Sequence, residues 1–540
     1  IMYDSYARFN EYPAVEKQRS QFDMPHGRKT TFNQGELVPL DVIDVLPGDT
    51  VTLDIAHVLR MNALLVPVMD NAYLDVYAFF VPWRLIWEHS KEFFGENNLT
   101  HWEPEVEYEL PQIEPPEGGW NIGSLADHLG YPTGIDGQEY NALRMRAYCK
   151  IWNDWFRSEA LKDPIMINLD EVTLTGKNKG VDYDYVTDTQ LGAACARVAR
   201  VHDMFSSCLP EPQFGPDTFV PLGQSAPVVG GPIDPDYIPA GYTQTDALLG
   251  KPLGIARDNN VELTNDFENN VSIGNKGAIN LVTDLSNAQG ATVNQLRMAI
   301  AIQRYQESMA RGGNRYTEYL RNIFGVVSPD ARQQRSEFLG SRRFQVNVDQ
   351  VLQTSSSDAT SPQGHTAAYS CTVNASDLFT YSSTEHGYIL VLGCVRVNHS
   401  YQYGVERDLL RKKKFDVYVP QLAHIGEQGV KNAEIYADGS DADNEIFGYK
   451  EAWVEYRWKP STVHGKLKSQ ASGSLDVWTY ADRYTELPKL SGEWIDEPDS
   501  NIQRSLAVQD EPQFTMDVYF TCHMTRVMPM YSTPGLMDHF

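Results

Sequence analysis

Over residues 50–56, Val51, Leu53 and Ile55 alternate with Thr52, Asp54 and Ala56, the period of a strand buried on one face. Residues 73–81 (YLDVYAFFV) are richer in aromatic and β-branched side chains and stop at Pro82, which predicts a second strand. Leu46-Pro47-Gly48-Asp49 has turn chemistry, because Pro fixes φ and Gly supplies the permissive backbone. The last third returns to the same pattern at 388–397 (YILVLGCVRV), 415–419, 452–458 (AWVEYRW) and 514–521.

Helical periodicity is sparser. In 141–160, Leu143, Ala147, Tyr148, Ile151, Trp152, Trp155 and Phe156 share one side at 3–4 spacing, as in a helix packed on a core. A second helix is predicted over 293–310, with Thr292 and Gln295 at capping-box spacing ahead of Leu296, Ile300 and Met309. Gly312-Gly313 breaks it, and 316–324 reads as a short third helix closed by Gly325. Strands and helices do not alternate, so a doubly wound sheet is disfavoured. A mainly β fold, an antiparallel sandwich of the jelly-roll kind with long insertions holding a few helices, fits best.

Two stretches depart from that pattern. Residues 103–117 carry six Glu and four Pro and predict an exposed acidic loop. Residues 210–239 hold eight prolines and no Lys or Arg. From 215 to 290 there are nine acids against Lys251, Arg257 and Lys276, with ten glycines. This is too long for a loop inside a compact domain. Val228, Ile233, Tyr237, Leu248, Leu253, Ile255 and Phe267 give it apolar anchors, so a folded excursion is expected rather than a bare linker. The organisation read from the chain is 1–214 as the first part of a jelly-roll domain with long loops, 215–290 as a folded insertion, and 291–540 as a helical connection and the rest of that domain.

With 540 residues, 42% apolar and 22% charged, the chain has an ordinary globular composition. Its formal charge of −27 argues against wrapping a nucleic acid through bulk charge, although a local basic patch remains compatible. Cys149, Cys195, Cys208, Cys371, Cys394 and Cys522 form no C-x-x-C pair, which predicts a reduced chain. No stretch approaches the roughly 18 apolar residues of a membrane span, and no signal-peptide pattern opens the sequence.

Catalytic signatures are missing from the sequence. There is no G-x-G, no P-loop, no G-x-S-x-G elbow, and no H-x-H or H-x-x-x-H pair. His386 and His399 flank one predicted strand and read as structural residues rather than metal ligands. Asp438, Asp441, Asp443 and Glu445 offer oxygens for a divalent cation but lack the order of a calcium loop, so a solvated turn is the plainer reading. The basic run Arg407, Arg411, Lys412, Lys413 and Lys414, near Tyr401, Tyr403 and Phe415, has the cations and rings of a single-strand contact. Arg411, Lys412, Lys413 and Lys414 are therefore candidate DNA contacts, against the alternative of a solvated loop.

Longer segments carry a resemblance. HGRKTTFNQGELVPLDVIDVLPGDT (26–50), PVMDNAYLDVYAFFVPWRLIWEHSKEFFGEN (67–97), RGGNRYTEYLRNIFGVVSPDARQQRSEFLG (311–340), FGYKEAWVEYRWKPS (447–461) and MYSTPGLMDHF (530–540) resemble the major capsid protein of microviruses, in the gokushovirus branch. The matching blocks run in family order from about residue 20 to the end. The resemblance implies a virion coat protein without catalytic activity, built on an eight-stranded jelly roll. About sixty copies would close into a T=1 icosahedral shell around circular single-stranded DNA of a bacteriophage. It further implies synthesis and assembly in the bacterial cytoplasm, a small basic DNA-binding virion protein as partner, and no membrane insertion. Residues 215–290 occupy the place of the family's threefold protrusion, thought to contact a host-cell surface receptor. The run RKKKF is more basic than the family's usual segment there. Sixty copies at −27 bring about 1,600 negative charges to a shell around a polyanion, which fits the need for a basic partner. No cofactor is expected beyond a divalent cation stabilising the shell. Two other readings fit the residues: a jelly-roll carbohydrate-binding protein or glycan-active enzyme, and a trimeric tail or spike adhesin.

Overall fold

The computed structural model describes residues 18–96, 106–216, 293–313, 315–327, 334–352, 354 and 366–531, and the backbone of five short strands at 228–230, 253–255, 261–263, 271–272 and 281–283. Nine long-range strands make two antiparallel sheets: β1 (Ser20–Asp23), β2 (His26–Phe32), β3 (Val38–Val45), β4 (Thr50–Met61), β5 (Ala72–Pro82), β6 (Glu337–Val346), β7 (Thr372–Ser382), β8 (Gly387–Val397) and β9 (Phe514–Arg526). β1 and β2 pair with successive stretches of β9, from Ser20 opposite Arg526 to Phe32 opposite Phe514. They are one strand interrupted at Pro25, which has no N–H for the ladder. Counted so, the sandwich has eight strands.

One sheet runs β1/β2–β9–β4–β7 and the other β3–β8–β5–β6. Only β5 and β6 follow each other within one sheet; every other step crosses between sheets, the jelly-roll path. The predicted alternation holds: Val51, Leu53, Ile55 and Leu59 of β4 are buried, as are Phe514, Met516, Val518, Phe520, Cys522 and Met524 of β9. They meet Leu74, Val76 and Ala78 of β5 and Ile389, Val391 and Val395 of β8 in one core. Each Val, Leu, Ile, Phe or Met among them contributes roughly 1.5–3 kcal/mol of burial.

β5 and β8 are buried on both faces, which explains their near-continuous apolar sequences. Their second face carries Phe79, Val81, Tyr388, Leu390, Leu392 and Cys394. It packs against the long β5–β6 connection, chiefly helix α1 (Leu143–Ile151) with Trp87, Trp120 and Trp152. On the outer face of the opposite sheet Thr515, Asp517 and Tyr519 are exposed. The second large insertion, between β8 and β9, is held by a smaller core of Phe205, Tyr401, Val430, Ile435, Phe447 and Val454.

Four local expectations differ from the structure. Within the expected acidic loop, Gln112–Glu114 is a short strand whose Ile113 is buried in the core, while Glu107, Glu109, Glu114 and Glu117 are exposed. The helix expected over 141–160 is α-helical only to Ile151 and continues as a π-turn, Trp152–Phe156, with Arg157 N–H bonded to Trp152 O. There Asp154 faces inward to accept bonds from Ser336 N and Oγ. The strand expected at 452–458 is instead a 3₁₀ turn, Val454–Tyr456, behind a strand at Ile446–Glu451. Trp453 adopts a left-handed φ of 65°, alone among described non-glycine residues, and so ends the ladder. The strand expected at 415–419 is also absent, because Lys414–Asp416 coils into a 3₁₀ turn.

The chain divides into two compact units, 1–212 with 313–540, and 213–312. In the smaller unit, 228–230 pairs with 281–283, and 253–255, 261–263 and 271–272 form a three-stranded meander. Helix α2 (Val293–Gly312) belongs to this unit; Leu296 and Ile300 are exposed on it and Met309 is buried. Thr292, the proposed cap, lies outside the described residues. Helix α3 (Tyr316–Phe324) ends at Gly325 in the left-handed region, as its sequence predicts.

Candidate functional site

The basic run sits in the β8–β9 insertion and divides in two. Arg407 and Arg411 turn inward. The Arg407 guanidinium bonds Gly429 O at 2.9 Å and lies 3.8 Å from Glu434, while Arg411 pairs with Glu455 at 3.3 Å over the Tyr456 ring. Lys412, Lys413 and Lys414 are exposed. Arg407, Arg411, Glu434, Glu455, Tyr456 and Trp458 line a cavity of about 260 Å³. Burial raises the Glu434 carboxyl against the opposing pull of Arg407. These acids converge on arginines within the insertion, not on a sheet face.

The acidic turn closes on itself. Asp443 accepts bonds from the backbone of Asp438 and Gly439, and Asp438 accepts one from Ser440 N. Asp441 and Asp443 belong to a 3₁₀ turn, and the Glu445 carbonyl accepts from Asn432 N. Among the described residues no group of three or more His, Cys, Asp or Glu side chains converges as a metal site. His386 stacks on Phe94 at 4.0 Å, whereas His399 has quite different partners.

His399 is the centre of a buried ionic cluster that the sequence did not announce. Its Nδ1 lies 2.9 Å from Asp482 and its Nε2 2.9 Å from Glu497, and all three side chains are almost wholly buried. Arg200 bonds the other Asp482 oxygen and stacks on Trp494. Asn501 and Tyr484 also donate to Asp482, and Gln34 and Val397 N donate to Glu497. Burial pulls the imidazole down, but Asp482 and Glu497 outweigh it and hold the group up at about 10. Burial likewise opposes ionisation of Asp482, yet Arg200 and His399 keep it far below the usual carboxylate range. Two cations therefore face two anions, joining the loop before β3, both insertions and the end of β8. A similar cluster on β5 holds buried Asp75 between Arg343 (2.6 and 2.9 Å) and Arg396 (2.6 and 3.0 Å), so its carboxyl is lowered despite burial.

None of these groups forms a nucleophile–base pair or an open cleft over the sheet. Arginine-paired acids and a closed sandwich suit a scaffold. The family model described as capsid protein (F protein) matches residues 10–536. The chain belongs to that family. Capsid protein VP1 of Spiroplasma virus 4 is 41% identical over 541 residues, covering 96% of this chain and 95% of that protein. Capsid protein VP1 of Bdellovibrio phage phiMH2K is 36% identical, covering 98% of both. Capsid protein VP1 of Chlamydia phage 1 is 35% identical, covering 98% of this chain and 97% of its own. The resemblance to microvirus coat proteins of the gokushovirus branch thus holds along the chain. This capsid protein is structural, not an enzyme, and its place is the virion. Among the described residues no helix is long and apolar enough to cross a membrane.

Proposed function

We propose that about sixty copies of this capsid protein close into a T=1 icosahedral shell around circular single-stranded DNA. Residues 215–290 form the surface protrusion at the threefold axes and meet the host-cell surface. A small, very basic virion protein condenses the genome, and assembly takes place in the bacterial cytoplasm. The observation that supports this reading is the eight-stranded jelly roll in a chain that matches capsid proteins over 96–98% of its length. The net charge of −27 supports the basic partner, since such a shell does not neutralise a polyanion by itself.

Electron microscopy of the purified protein, with and without the basic partner and single-stranded DNA, tests it. Closed isometric particles with knobs are expected, and deletion of 220–288 removes the knobs while sparing the shell. Monomers or lone trimers under every condition refute the shell and favour an adhesin or glycan binder, to be followed on a glycan array.

A further inference from the structure

Segment 407–417 is firmly tied at its base and bare at its tip. Arg411 is fixed by Glu455 and the Tyr456 ring. Asp416 Oδ2 accepts from Lys412 N at 2.8 Å and Lys413 N at 2.7 Å, closing the turn. Beyond it, Tyr418 packs edge-on against Trp453, and Trp453 Nε1 donates to Leu422 O at 2.8 Å. The Trp453 side chain thus holds this segment from behind. At the tip, Leu409 is 74% exposed and Phe415 68%, with Val417, Tyr418 and Ile425 also exposed. Large apolar side chains left exposed along one ordered segment, interspersed with charge, mark an interaction surface.

We propose that this hook, residues 409–417, docks on a second copy of the same chain, with Leu409, Phe415 and Val417 seated against the neighbour and Lys412, Lys413 and Lys414 on its acidic surface. The proposal rests on the self-assembly reading above. Charge complementarity selects the occupant. The hook's three lysines are exposed on a chain of net −27, and a neighbouring copy offers exposed acids such as Glu107, Glu109, Glu114 and Glu117. DNA would match the lysines and stack on Phe415, but it offers nothing to the aliphatic Leu409 and Val417. The hook is also preorganised, so docking orders little that is not already ordered.

The test uses the full-length protein in the same particle assay. The variants L409S/F415S and K412E/K413E/K414E change exposed side chains only, so circular dichroism and thermal unfolding of the subunit stay as in wild type. Both are expected to lose shells, seen as slow-sedimenting species. Independently, amine acetylation read by mass spectrometry should find Lys412–Lys414 protected several-fold in wild-type shells relative to dissociated subunits. Shells formed by both variants at wild-type yield, or equal labelling in shells and subunits, overturn the hook and leave the assembly reading intact. Variant shells of normal yield but reduced DNA content assign the lysines to nucleic acid and also overturn it. Wild-type protein that never forms shells sinks the assembly reading and the hook together.

Discussion

Removing the charge of His399 without removing its bulk, as in H399Q, tests the ionic cluster. The imidazolium donates to two buried carboxylates at 2.9 Å, so glutamine leaves Asp482 and Glu497 facing each other with Arg200 as the remaining cation. Breaking a buried pair in this way costs about 3–5 kcal/mol. Proton linkage gives a similar size. A histidine at about 10 in the folded state and 6.5 unfolded contributes roughly 4 kcal/mol at pH 7. The sign follows from the raised value: the contribution is complete below pH 6.5 and is lost as pH rises toward 10. Asp482 acts oppositely, its contribution present above about pH 4 and lost in stronger acid. Denaturant unfolding of dissociated subunits, at steps from pH 5 to 10, should show wild type above H399Q by several kcal/mol near pH 6. The gap should narrow by up to about 1.4 kcal/mol per pH unit above 6.5. A gap under about 1 kcal/mol at pH 6, or one that stays constant to pH 10, refutes an imidazolium clamped by two carboxylates.

Two further outcomes are expected. His57 points into the sandwich core, 2% exposed, with neither ring nitrogen bonded, and burial lowers it to about 4. H57L should stabilise the subunit by about 1–3 kcal/mol. Because the unfolded chain takes up the proton first, wild type loses stability between pH 6.5 and 4 and the variant does not; unfolding midpoints at pH 7 and 5 check both statements. Since like-charged subunits must approach each other, assembly should be favoured by salt or magnesium. Light scattering of particles that are equally intact in low-salt chelator and in magnesium buffer would contradict this.

The sandwich was legible because its signals are local. Alternation in β4 and the dense apolar runs of β5 and β8 follow from one-sided and two-sided burial, and each is contained within a dozen residues. The strands expected at 415–419 and 452–458 do not form, because their aromatic side chains are engaged elsewhere. Tyr418, Trp453 and Tyr456 pack on one another across the base of the hook, where tertiary packing overrides β-propensity. The basic run was visible as composition, but its division into two inward arginines and three outward lysines depends on Glu434 and Glu455, which have no sequence proximity to it. Arg200, His399, Asp482 and Glu497 span nearly three hundred residues of chain, and no spacing rule connects them.

The contrast between the two kinds of cohesion has a structural reason. Sheet against sheet buries mostly apolar side chains, His57 excepted, so correct alternation goes far to specify the register of the sandwich. The insertions bury apolar clusters of their own, but their short strands and irregular backbone offer no long strand repeat to set their mutual register. Charged side chains that tolerate burial only in one geometry supply that missing specificity: Glu497 must meet His399, Gln34 and the Val397 amide at once. In a single chain Leu409 and Phe415 of the hook are left exposed. A coat protein whose insertions are locked internally by ion pairs can present rigid apolar tips to its neighbours, so that the apolar burial still outstanding in the subunit is completed by assembly.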